Sequence, residues 1–234
     1  MSRAKFFRFY TLIVSSIMLL ACTHQPATIP PTMEKNIRFL ALGDSYTIGE
    51  GVDSAQRWPV QLTEALRQQG LQIENPLIIA RTGWTTGDLL AAIAEANPQG
   101  PFDLVTLLIG VNNQYQGRDQ ETYRQEFRIL LGLAIDLAGG DPSKVLVLSI
   151  PDWGVTPFAR DRDRDQIRLE IDQFNAINLD ETRAAGAYYL DITPNSRQAA
   201  NDPALLAPDE LHPSAKMYAA WVELMLPQAK VILR

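Results

Sequence analysis

The stretch "FLALGDSYTIGEG", residues 39–51, is an apolar run that breaks abruptly into Gly-Asp-Ser. Four successive apolar side chains ending in a turn signal read as a buried strand that delivers Ser45 to its carboxyl end. Gly, Asp and Ser are also the residues that a turn or a helix N-cap selects, so the tripeptide alone leaves two readings: a cap, or a nucleophile. The rest of the chain has to decide between them.

Downstream, "PLIIA" (76–80), "DLVTLLIG" (103–110), "KVLVLSI" (144–150) and "AYYLDI" (187–192) repeat the pattern, and with "IRFLAL" (37–42) they make five near-continuous aliphatic runs. Such runs are expected of strands covered on both faces. Between them lie helical patterns: Tyr123, Phe127, Leu130, Leu131 and Ala134 share one face, and Ile167, Ile171, Phe174 and Ile177 share another. Gly139, Gly140 and Gly186 stand where helix C-caps belong, and a last helix is expected from about Ser214. Alternation of strand and helix predicts an α/β fold with a parallel sheet and helices on both sides. In that architecture ligands bind at the carboxyl ends of strands, so a site should be assembled from residues far apart in sequence.

A serine alcohol needs a base, and imidazole is the usual one at neutral pH. The chain has two histidines. His24 lies in a proline-rich stretch unsuited to fixed geometry, which leaves His212 in "DELHPS". Asp209 precedes it by three residues, close enough to hold one ring nitrogen and aim the other, and Ser45, His212 and Asp209 would then form a triad. Acyl transfer also needs donors for a developing oxyanion. The second strand run is followed by "ARTGWTTGD" and the third by "IGVNNQYQG". There Gly83 is a turn residue or an unobstructed N–H, and Asn112 is a loop residue or a side-chain donor.

In order, Gly43-Asp44-Ser45, then Gly83, then Gly110-Val111-Asn112-Asn113, then Asp209-Glu210-Leu211-His212 resemble the four sequence blocks of the SGNH hydrolases, also called GDSL-type esterases and lipases. The resemblance runs from about Ile37 to the C-terminus. It implies a flavodoxin-like three-layer α/β/α sandwich around a sheet of about five parallel strands. It implies Ser45 as nucleophile, and an oxyanion hole made of the Ser45 N–H, Gly83 and Asn112. It also implies Asp209 and His212 as orienter and base, with no cofactor. Asn113 stands where the family commonly has Asp, a departure that bears on a supporting contact and on no catalytic role. No Gly-x-Ser-x-Gly elbow occurs, which argues against an ordinary α/β-hydrolase.

Residues 1–21 read as an export signal: Arg3, Lys5 and Arg8 precede an apolar run from Tyr10 to Ala21 that is too short for a spanning helix, which needs about 20 residues. The ending "LLAC" resembles a bacterial lipobox, which implies a lipid on Cys22, the chain's only cysteine. Residues 22–36 then read as a lipidated cysteine and flexible tether, with the domain spanning 37–234. By lipoprotein resemblance, Thr23 instead of Asp after the cysteine implies the outer membrane, facing the periplasm. Without residues 1–21 the chain has 18 Lys and Arg against 27 Asp and Glu, a net charge of −9. So acidic a domain is no nucleic-acid binder, and a lipid on Cys22 would be its means of membrane attachment.

One fixed histidine and no second cysteine make a zinc set untenable, and neither a Walker pattern nor Gly-x-Gly-x-x-Gly is present. Trp84 and Trp153 follow strand ends and are candidates for a pocket wall. "RDRDRD" (160–165) reads as a solvated helix start. The expected activity is hydrolysis of short acyl or acetyl esters, small or glycan-borne, through an acyl-enzyme. The rivals are a lysophospholipase or thioesterase for long chains and a non-catalytic lipoprotein that binds glycan or acyl groups.

Overall fold

The computed structural model describes residues 36–234 together with residues 1, 4 and 5. Apart from those, the expected export signal, Cys22, His24 and nearly all of the expected tether lie outside the described residues.

Five strands form one parallel sheet: β1 (Phe39–Gly43), β2 (Leu77–Ala80), β3 (Leu104–Leu108), β4 (Val145–Leu148) and β5 (Tyr188–Leu190), in the spatial order β2-β1-β3-β4-β5. Each falls inside one of the five apolar runs except β1, which extends one residue further to Gly43. The expectation of strands covered on both faces holds for β1, β3 and β4, all of whose residues are buried. It holds only in part for β2 and β5. These are the sheet edges, where Leu77 is exposed and Tyr188–Leu190 are half-buried, because an edge strand has a neighbour on one side only.

The order of strands also explains the layers. From β1 the chain steps to one edge at β2, then returns past β1 to β3, β4 and β5. Right-handed crossovers therefore put α2 (Trp58–Gln68), which joins β1 to β2, on one face. They put α3 (Thr86–Ala96), α5 (Gln120–Leu137) and α6 (Arg164–Ala184) on the other. The packing agrees: α5 lies between α3 and α6, and α8 (Ala215–Ile232) packs along α2. The result is the three-layer α/β/α sandwich.

Helix boundaries follow their capping residues. Thr85 opens α3 with a capping box to Asp88, and Asp119, Asp163 and Ser214 cap α5, α6 and α8 through their side chains. Gly139 and Gly140 follow the end of α5 and Gly186 that of α6, all at positive φ. The segment "RDRDRD" is split by Asp163, so that α6 starts inside it, at Arg164.

The strand reversal between β1→β2 and β2→β3 places a topological switch point between β1 and β3. Adjacent parallel strands whose connections leave in opposite directions open a crevice at their carboxyl ends. Ser45 follows β1 and Asn112 follows β3.

Candidate active site

Gly43, the last residue of β1, allows the close approach on which the site depends. A Cβ there would come 2.4 Å from the Leu108 carbonyl oxygen and 2.2 Å from Thr47 Oγ1, so any side chain would force β1 away from β3. Asp44 then caps the single turn α1 (Ser45–Ile48), accepting a hydrogen bond from the Tyr46 N–H at 3.0 Å. The turn is anchored from α2, where the fully buried Trp58 donates its indole N–H to the Tyr46 carbonyl at 3.1 Å. Ser45 is thus fixed by its backbone, and no hydrogen bond occupies its hydroxyl among the described residues.

Burial pushes the Asp44 carboxyl from its ordinary 3.8 up to about 7, against the N–H groups of Tyr46, Asp44 itself and Gly110, which favour its charged form. The folded state therefore holds a proton that the unfolded chain releases between about pH 4 and 7. Stability from this group is complete below the unfolded value and is lost as the pH rises through about 7. Asp44→Asn keeps an acceptor for the Tyr46 N–H without the charge. It is expected to flatten the decline in unfolding free energy across that window, by an amount up to about 4 kcal/mol. Denaturant midpoints of both proteins at pH 4 and pH 8 test this, and an undiminished decline in the variant refutes it.

The loop after β2 contributes Gly83, at φ +88°, a conformation that favours glycine although a Cβ would meet nothing within 4 Å. The short helix α4 (Val111–Tyr115), after β3, contributes Asn112. One amide N–H of Asn112 is spent on the Trp84 carbonyl at 2.9 Å, which orients the group and leaves its second N–H free to serve a ligand. Trp84 thus takes part through its backbone, and its ring is not among the cavity walls.

Asn113, despite the departure from the family's Asp, ties the two segments together. Its Oδ1 accepts from the Thr86 N–H at 3.0 Å, and its Nδ2 donates to Thr86 Oγ1 at 2.7 Å. The Thr86 hydroxyl in turn donates to Glu126, so its oxygen can only accept from Asn113. An aspartate here would set two acceptors against each other, which explains why the departure from the family pattern suits this chain.

Asp209 and His212 stand on the turn before α8. Asp209 Oδ1 accepts from the Leu211 N–H at 3.0 Å and the His212 N–H at 2.9 Å, while Oδ2 lies 2.6 Å from His212 Nδ1. Burial pushes the Asp209 carboxyl up, but these three hydrogen bonds outweigh it and hold the group below its ordinary value, hence ionised at neutral pH. An ionised partner places the ring proton on Nδ1 and leaves Nε2 as a lone-pair acceptor. Glu210 permits the turn by adopting φ +58°, and the Phe158 N–H reaches its carbonyl at 3.4 Å. The His212 ring packs edge-on to Tyr46, centroids 5.7 Å apart.

Ser45, Gly83, Asn112 and His212 all open on one cavity of about 200 Å³. No direct hydrogen bond joins Ser45 to His212 in this structure. Apo sites commonly tighten only around substrate, and the shared cavity is the more telling observation. Its far wall is apolar: Trp153 as expected, together with Tyr115, Phe158 and Leu211, which sequence reading missed. Tyr115 follows Asn112 by three residues on α4, a spacing that puts both on one helical side and could have flagged it. Phe158 carries no such signal, because it reaches the cavity through the irregular segment after β4.

A serine turn, a glycine loop, an asparagine helix and an Asp-His turn at the carboxyl end of a five-stranded parallel sheet make up the arrangement of an SGNH-type hydrolase. The chain belongs to the GDSL-like lipase/acylhydrolase family, whose model matches residues 41–220. It is accordingly a carboxylic ester hydrolase. Among curated proteins none matches its sequence. Solved structures share the fold at low identity. TesA is 19% identical with a TM-score of 0.63, over 84% of this chain and 99% of that one. The psychrotrophic esterase EstA from Pseudoalteromonas sp., inhibited by monoethylphosphonate, is 16% identical with a TM-score of 0.66, over 85% and 99%. The acetylxylan esterase Axe2 from Geobacillus stearothermophilus is 19% identical with a TM-score of 0.64, over 82% and 94%.

Proposed function

We propose that the chain is a serine esterase for short acyl esters, exported and held at the outer membrane by a lipid on Cys22, facing the periplasm. The observation that carries the chemistry is the single cavity onto which Ser45, Gly83, Asn112 and His212 converge. Ser45 Oγ attacks the ester carbonyl as His212 Nε2 takes its proton, and the charge on the carbonyl oxygen is met by the N–H groups of Ser45, Gly83 and Asn112. The intermediate collapses, the alcohol leaves with the proton from His212, and the acyl group remains on Ser45. Water, deprotonated by the same imidazole, then releases the acid. Asp209 keeps the ring in the required tautomer and stabilises the transient imidazolium.

The cavity size supports short chains. Each methylene buried in an open pocket gains about 0.8 kcal/mol, close to a fourfold gain in affinity, but only while there is room. About 200 Å³ is below the range of roughly 300–1,000 Å³ typical of sites for larger ligands. With p-nitrophenyl esters from acetyl to dodecanoyl, kcat/KM is expected to peak at acetyl to butyryl and to fall by octanoyl. A peak at dodecanoyl would favour the long-chain acylhydrolase instead, and hydrolysis of none of them the binding protein.

A further inference from the structure

Beside the catalytic cavity lies a second one of about 270 Å³, and Tyr115 and Trp153 belong to the walls of both. Its character is different. The Trp153 indole N–H donates to Gln114 Oε1 at 2.8 Å, Gln114 Nε2 donates to Glu170 Oε2 at 2.7 Å, and Gln166 Nε2 donates to Glu170 Oε1 at 2.7 Å. The Glu170 carboxylate is therefore oriented from both sides, with each oxygen keeping a lone pair for another donor. Arg162 stands over the Tyr115 ring, 5.9 Å from Cζ to centroid, and forms no ion pair among the described residues. Tyr115 is 48% exposed, so much of its ring surface is open to a ligand.

From this we infer that the second cavity is a subsite for the alcohol half of the ester, and that this half is a neutral polyol such as a saccharide. The inference rests on the esterase reading for its connection to Ser45. An aromatic ring that can cover a C–H face, a fixed carboxylate and a guanidinium are complementary to the alternating apolar and hydroxyl surfaces of a sugar. Charge decides against an anionic head group. Arg162 is outnumbered by Asp163 and Glu170 in the walls, so a phosphate or carboxylate there would face two negative charges and one positive. The shared Tyr115–Trp153 pair, with centroids 5.4 Å apart, makes the two cavities adjacent, as a sugar whose acyl group enters the first requires. Arg162 belongs to the charged run before α6, so that the solvated segment acquires a ligand-facing member.

The test compares the full-length protein with Arg162→Ala and Glu170→Gln on two acetyl esters, p-nitrophenyl acetate and acetylated cellobiose, and titrates each protein with free cellobiose while the Trp153 indole N–H is followed by NMR. The ratio of kcat/KM for the sugar ester to that for p-nitrophenyl acetate is expected to fall about tenfold in each variant, chiefly through KM. Cellobiose should shift the Trp153 signal in the parent and much less in the variants. A ratio that stays at the parent's value, or a Trp153 signal indifferent to cellobiose, overturns the subsite while leaving the esterase intact. Cellobiose binding that is lost in the variants, in a protein that hydrolyses neither ester, would uphold the polyol site and overturn the esterase reading.

Discussion

Ser45→Ala is expected to reduce kcat on p-nitrophenyl acetate by on the order of 10⁵-fold or more, and His212→Ala to do nearly the same. The two losses should not add. The Ser45 hydroxyl has no hydrogen-bond partner among the described residues, and His212 is the only basic group in the lining of the cavity that could take its proton. Without the imidazole the hydroxyl is an ordinary alcohol, and without the hydroxyl the imidazole has nothing to activate. The double variant should therefore resemble either single one. Rapid-mixing measurements add a second readout, because the parent should release a burst of p-nitrophenol close to one equivalent if deacylation is slower than acylation, and neither variant should show any. Since Ser45 is only 4% exposed and its side chain anchors nothing, Ser45→Ala should fold normally. A Ser45→Ala protein that retains substantial turnover would remove the nucleophile assignment altogether.

Asn112→Ala comes next, with an expected loss of about 10²–10³-fold in kcat and little change in KM. The distinction matters because an oxyanion donor acts on charge that exists in the transition state and hardly at all in the bound ester. Truncation also leaves the Trp84 carbonyl without the amide that meets it at 2.9 Å, a cost to stability of about 1 kcal/mol. Thermal unfolding of the variant separates that cost from the catalytic one. Unchanged kcat would show that the Ser45 and Gly83 N–H groups suffice and that Asn112 only shapes the loop.

Much of the fold is legible in the sequence. The five apolar runs locate the strands because central parallel strands must be apolar on both sides, whereas the switch point between β1 and β3 follows only from their spatial order. Ser45, Gly83, Asn112, Asp209 and His212 stand out in the sequence through the order of the four family blocks, and the structure brings Ser45, Gly83, Asn112 and His212 to one cavity. What stayed hidden depends on packing between segments with no sequence relation to one another. Phe158 reaches the cavity because its N–H meets the Glu210 carbonyl, and Glu210 turns through a positive φ that its residue type does not announce. Trp84 and Trp153 looked equivalent from their positions after strands, yet one turned its carbonyl to the site and the other its ring. The Trp153 ring is held by Gln114, a partner that no local pattern encodes.

The distance along the chain between Ser45 and His212 has a consequence for biosynthesis. The serine turn is made early and rests on Tyr46, whose ring is met by His212 and by Trp221 of α8, centroids 5.7 and 6.4 Å away. Asp209 and His212 thus come much later in the chain than Ser45, and His212 and α8 pack together against the serine turn. A chain still being made carries the serine without its imidazole and is expected to be inert toward esters. Under the esterase reading, activity is expected only once Asp209 and His212 have followed and α8 has docked along α2, which would spare any ester, including those of a bilayer, from an unfinished enzyme.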